Sequence, residues 1–143
     1  MGKIAWLASY IGERINLLEE KLNELTAKEL VEDEFMLHSV LHILQVSVQA
    51  LIDLASHIIS EAGLGIVDKY SSIPEILVKA GALSKDDAKL LRKIIGFRNV
   101  IVRCYAEVSK NLVAEILSKR KYKDLIRLAF ILLKWAEEKG IDP

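Results

Sequence analysis

The residues with the clearest chemical potential are Arg98, Asn99, Arg103 and Tyr105, in the run Gly96-Phe97-Arg98-Asn99-Val100-Ile101-Val102-Arg103-Cys104-Tyr105. A guanidinium and an amide beside three aliphatic residues carry a desolvation penalty unless something pairs with them. On a helix of 3.6 residues per turn, Arg98 and Tyr105 superimpose on one face, and Asn99 and Arg103 stack about 100° round. That geometry sends Val100 and Ile101 toward the core. The polar set suits a phosphodiester, with fixed positive charge for the phosphate, an amide to orient it and a phenol at the edge. The same residues would also serve as an inter-helix salt bridge, a backbone-bonded asparagine and a rim tyrosine, and spacing alone does not choose between these.

Further candidates surround this run. Lys89, Arg92 and Lys93 lie one to two turns before it, and Lys119-Arg120-Lys121 with Lys123 forms a second basic cluster. Either would attract a polyanion, and either would equally be solvated helix surface, the second at a favourable helix C-terminus. His38, His42, Gln45, Gln49, Asp53, Ser56 and Ser60 step by three or four along one helical face. This stripe reads as a solvent face or as a polar seam lining a cleft or interface. His38 and His42 have a zinc-compatible spacing, but Ser39 stands where a zincin has its glutamate and no further ligand is evident. No metal is expected.

The elements that position these groups are helices. Ile4, Leu7, Ile11, Ile15, Leu18, Leu22 and Leu25 define a first amphipathic helix. Thr26 followed by Glu29 forms a capping box that opens a second helix, expected to run unbroken to about Glu61, where Gly63 and Gly65 end it. Pro74 to Ala80 gives a short helix with proline in its first turn, closed by Gly81. Ser84, Asp86 and Asp87 cap the helix that carries Arg98, expected from about Lys85 to at least Val108. Leu112–Leu117 and Tyr122–Glu138 give one or two more amphipathic helices. No segment alternates with period two, so the fold class is all-α, an up-and-down bundle with a long second helix.

Size and composition set the outer bounds. A chain of 143 residues is one domain, 1–143, large enough for a core without staples. Twenty basic and twenty acidic residues cancel, so any nucleic-acid binding must come from a local patch. Hydrophobic residues make up 52%, and the mean hydropathy of +0.25 is high for a monomer of this size, which favours a homodimer. The long apolar stretches are interrupted by charge, so no membrane span is expected. No secretory leader is evident, and the predicted location is cytoplasmic. A single cysteine, Cys104, rules out an internal disulfide.

The run from Phe97 to Tyr105 resembles the signature of the HepT-like proteins of the HEPN superfamily, small helical ribonuclease toxins. Their motif is Arg-Asn, three apolar residues, His, any residue, Tyr. The segments Gln49–Ile59 and Pro74–Leu83 are similar to the family's second helix and to the stretch leading into the motif helix. The resemblance implies a HEPN-like, dimeric bundle and a metal-independent endoribonuclease without cofactor, in which Arg98 stabilises charge at phosphorus and Asn99 orients. It places Asp53 beside Arg98 as a supporting partner, while Arg92 and Lys93, by their proximity in sequence to Arg98, would either draw RNA toward the site or form solvated helix surface. Tyr105 corresponds to the tyrosine that a partner minimal nucleotidyltransferase, the antitoxin, modifies with AMP. That modification adds phosphate charge where RNA phosphate would sit.

One position departs from the pattern. Arg103 stands where the family has its catalytic histidine. An imidazole exchanges protons near neutral pH, whereas a guanidinium is not a base and is a poor acid. The resemblance therefore implies retained phosphate affinity with weak or absent cleavage. Two histories lead there: a naturally degenerate member, or loss of the histidine during cloning of a toxic nuclease. Two readings from other classes stand beside the nuclease: a non-catalytic helical partner of a nucleotidyltransferase, and a structural bundle with no site.

Overall fold

The computed structural model describes residues 2–103 and 110–142, which form seven α-helices. They are α1 (Lys3–Glu24), α2 (Ala27–Glu32), α3 (Glu34–Glu61), α4 (Ile73–Lys79), α5 (Lys85–Arg103), α6 (Lys110–Ser118) and α7 (Lys123–Glu138). A single 3-10 turn, Tyr70–Ser72, precedes α4. Among the described residues there is no strand. The all-α reading from periodicity is the observed class.

α3 is the axis of the bundle. It packs against α1, α2, α4, α5 and α7. Its Leu51, Ile52, Leu54, Ala55 and Ile58 are fully enclosed, facing Ile4, Ile11, Ile15 and Leu18 from α1 and Leu128 and Leu132 from α7 within one core. By length and composition α3 would cross a bilayer, with a hydropathy of 1.6 over its most apolar window, but half of that window is buried inside the bundle. α6 lies on α2, burying Val113 and Leu117.

The expected second helix is two helices. The capping box is present: Glu29 N–H donates to Thr26 Oγ1 at 3.1 Å, and Thr26 N–H donates to Glu29 Oε1 at 3.1 Å. It opens only the six residues of α2, because Asp33 leaves the helical region (φ −85°, ψ 118°) and starts α3 by accepting from Met36 N–H at 2.9 Å. Aspartate is among the best N-cap residues, and a side chain that can bond the backbone ahead of it competes with helix continuation. At the far end Gly63 takes φ 63°, which lets Leu64 N–H reach Ile59 O at 3.0 Å.

Arg120 takes φ 51° in the turn after α6, where glycine is usual. Its side chain offsets the strain. Arg120 Nη1 ion-pairs with Glu19 of α1 and donates to Tyr122 Oη at 2.9 Å, and Tyr122 Oη donates to Glu19 Oε1 at 2.9 Å. A second clasp joins the ends of the chain. Ile4 N–H, in the first turn of α1, donates to Asp142 Oδ2 at 2.6 Å, and His57 Nε2 of α3 lies 3.6 Å from the same oxygen.

Candidate functional site

α5 turns one stripe inward, and Ala88, Leu91 and Ile95 on it are buried. Arg98 is the next residue on that register, so the helix places a guanidinium where an aliphatic residue would otherwise meet α3. It is half-buried there, while Asn99 beside it is exposed. Ser84, which receives Asp87 N–H at 3.1 Å, fixes where α5 begins and therefore its register.

Three groups hold the Arg98 guanidinium. Its Nε–H donates to Gln49 Oε1 on α3 at 3.1 Å, and Nη1 donates to Asn99 Oδ1 at 3.2 Å. The Tyr70 ring covers one face, 5.0 Å from Cζ. Behind Gln49 stands Asp53, whose Oδ1 accepts from Gln49 Nε2 at 2.9 Å. A carboxylate only accepts, so Asp53 binds the amide nitrogen and turns the carbonyl of Gln49 toward Arg98.

The electrostatic result is specific. Gln49 and Asn99 are neutral, so Arg98 is oriented without being neutralised by a contacting carboxylate. Among the described residues Nη2 has no acceptor. A planar cation held on one edge and one face, with a donor left over, is suited to an anion arriving from solvent.

The sequence-predicted residues fall as follows. Arg98 and Asn99 are brought together, and Asp53 joins them only through Gln49. The expected direct pairing of Asp53 with Arg98 is replaced by this relay, because the amide at 49 is one turn nearer. Arg92 and Lys93 are exposed on α5. Arg103 closes the described part of α5, whereas Tyr105 and the expected extension to Val108 lie outside the described residues. Ile101 is in the core as expected. Val100 is not: 48% of it is exposed, since its register turns it away from α3.

The second basic cluster is consumed by structure. Lys119 and Lys121 reach Glu115 at 3.0 and 3.1 Å, and Lys123 reaches Glu19 at 3.4 Å. Among the described residues no group of three His, Cys, Asp or Glu side chains could hold a metal ion, and His38 Nε2 lies 3.9 Å from Glu34. Two members of the site were not singled out for their roles from sequence. Gln49 was visible only as part of the polar stripe. Tyr70 sits in an aperiodic loop that carries no signal.

With this geometry in place, comparison with known proteins is decisive for the family. The profile described as Ribonuclease HepT-like matches residues 11–129. The chain belongs to the HepT-like ribonuclease family. Two proteins of Archaeoglobus fulgidus, each named "Putative RNase", are similar to it. One is 25% identical over 126 residues, covering 88% of this chain and 92% of that protein. The other is 30% identical over 101 residues, covering 71% and 74%.

Solved structures share the HepT-like fold. A tri-AMPylated Shewanella oneidensis HEPN toxin in complex with MNT antitoxin superposes with a TM-score of 0.81 at 21% identity, covering 92% of this chain and 97% of that one. A toxin–antitoxin crystal structure with AMP-PNP gives 0.80 at 20% identity, covering 92% and 98%. YutE of Bacillus subtilis, described as a cytosolic protein of unknown function, gives 0.79 at 17%, covering 96% and 90%.

Proposed function

We propose that this chain is the toxin subunit of a toxin–antitoxin pair, an RNA-binding protein of metal-independent endoribonuclease descent whose cleavage is impaired by Arg103. The observation that carries the reading is the Arg98 guanidinium, oriented by the neutral groups of Gln49 and Asn99 and left with an uncommitted donor. In that reading Arg98 binds the scissile phosphate and Asn99 orients both arginine and phosphate. Asp53 supports through Gln49, and Arg92 and Lys93 attract the RNA backbone. The protein works in the cytoplasm as a homodimer, a state favoured by a mean hydropathy of +0.25, high for a monomer of this size. A minimal nucleotidyltransferase is the antitoxin, and Tyr105 is the residue it modifies with AMP.

Arg103 decides the catalytic part. General acid–base help contributes about 10²–10⁴ in rate, and no guanidinium supplies it. The Arg103→His variant is expected to cleave RNA faster than this chain by about that factor, with Arg98→Ala abolishing the gain. No gain in the histidine variant sinks the lost-nuclease account. Arginine at this position also favours a second reading, a non-catalytic partner of the nucleotidyltransferase. That reading expects co-purification with the transferase and no cleavage by either form.

A further inference from the structure

α5 carries a second feature, separate from the stripe that buries Leu91. Lys85, Lys89, Arg92, Gly96 and Asn99 recur at steps of three and four, and all five are exposed. Position 103 shares their register. On an α-helix the five residues from Lys85 to Asn99 form a single row about 21 Å long. Its N-terminal half opens into a groove of about 470 Å³ between α4 and α5, lined by Lys79, Lys85, Lys89 and Arg92 together with Glu75 and Asp86. Four cations face two anions.

These cations are uncommitted. Among the described residues none of Lys79, Lys85, Lys89 or Arg92 has a carboxylate at ion-pair distance. In the other basic cluster Lys119, Lys121 and Lys123 are all paired. In a chain of zero net charge, unpaired cations in one row are a local polyanion surface.

Gly96 adds an uncovered position to the same row. Glycine within a helix is costly, and it is usually kept where something packs against the missing side chain. Here a Cβ at position 96 would meet nothing within 4 Å. Among the described residues no neighbour explains this glycine, as is also true of Gly12 in α1. Gly96 leaves bare backbone at the middle of the row, between the lysines and Asn99, where a ligand would approach closely.

We infer that the α4–α5 groove and the row from Lys85 to Asn99 form a docking track for a single RNA strand that enters the Arg98 site from the N-terminal end of α5. A single line of point charges matches one phosphodiester backbone, and the row from Lys85 to Asn99 corresponds to about six stacked phosphates at about 3.4 Å each. Lysine binds phosphate as a point charge without reading bases, so the track selects for strand length over sequence. This rests on the reading of Arg98 as a phosphate site.

The test uses a fluorescent single-stranded RNA of about 12 nucleotides, longer than the track, with anisotropy measured across a salt series. The Lys85→Gln/Lys89→Gln variant is expected to lose affinity about tenfold and to lower the salt slope by about 1.4, two contacts at about 0.7 each. Gly96→Leu, on an exposed face that leaves the core intact, is expected to weaken binding to a similar degree without changing the slope. Wild-type affinity and slope in the lysine variant overturn the track. If Arg98→Ala still loses affinity in that case, the RNA reading of the site survives. If the wild-type chain does not bind RNA, both fall. If the lysine variant binds RNA normally but no longer captures the nucleotidyltransferase, the row docks a protein and the inference is wrong.

Discussion

Arg98 is oriented by Gln49 and not by Asp53: Nε–H meets Oε1 at 3.1 Å, and Asp53, the nearest acid in the chain of contacts among the described residues, touches only the far side of that amide. The distinction governs what the arginine is able to do. A contacting carboxylate would hold the guanidinium in place and also cancel its charge. An amide supplies the same orientation and leaves the charge for a ligand.

Replacing Gln49 by glutamate tests this directly. The variant gains an ion pair with Arg98, so its melting temperature is expected to hold or rise. RNA affinity is expected to fall about tenfold, because the phosphate now competes with a fixed carboxylate. Calorimetry and anisotropy on the same sample read the two effects. Reduced stability together with unchanged RNA binding would contradict the orientation argument.

Tyr70 contributes a face and no hydrogen bond to the arginine. Cation–π contact at a partly exposed site is worth about 0.5–1 kcal/mol. Tyr70→Leu is therefore expected to weaken RNA binding about two- to fivefold, and Tyr70→Phe to retain it. Equal losses in both variants would point to the hydroxyl and away from the ring.

The Glu19–Arg120–Tyr122 cluster predicts an alkaline limit to stability. Burial, then the hydrogen bond to Glu19, pushes the Tyr122 phenol from 10.0 up to about 12. A group whose folded value is raised stabilises the fold fully below its unfolded value and loses that contribution as pH climbs through the folded one. Urea midpoints are expected to drop between about pH 10 and pH 12 in the wild type and to drop less in Tyr122→Phe. Glu19 behaves in the opposite sense. Burial pushes its carboxyl up, but hydrogen bonds from Tyr122 and Lys123 with the charges of Arg120 and Lys123 outweigh this, leaving it below its ordinary value. Its stabilisation is present above the unfolded carboxylate value and is lost as pH falls through the folded one.

Asp142 caps α1 from the opposite end of the chain. Asp142→Ala removes the acceptor for Ile4 N–H and is expected to cost about 1 kcal/mol, the usual value of an N-cap. Thermal unfolding measures it. His57→Ala separates the cap from the neighbouring imidazole, and a loss equal to that of the aspartate variant would assign the effect to the histidine contact instead.

Much of this architecture was legible in local patterns. The first-helix stripe from Ile4 to Leu18, the Thr26–Glu29 capping box and the Ser84 cap each depend on residues within a turn or two of one another, and each is where spacing puts it. The break at Asp33 does not show in the hydrophobic pattern, because a side chain that competes with helix continuation has no periodic signature. The motif run located Arg98 and Asn99, but its partners come from α3 and from the loop at Tyr70, contacts across 49 residues and more than a helix apart. Val100 went wrong for a related reason. Apolar character alone does not say which of several faces a helix turns inward, and α5 uses the face of Leu91 and Ile95.

The aspartate that tethers Ile4 is separated from it by 138 positions. During synthesis the opening turn of α1 is made 138 residues before the side chain that caps it, so the cap forms only after all seven helices have been translated. The contact therefore ties α1 to the segment that follows α7, and loosening either element frees the other.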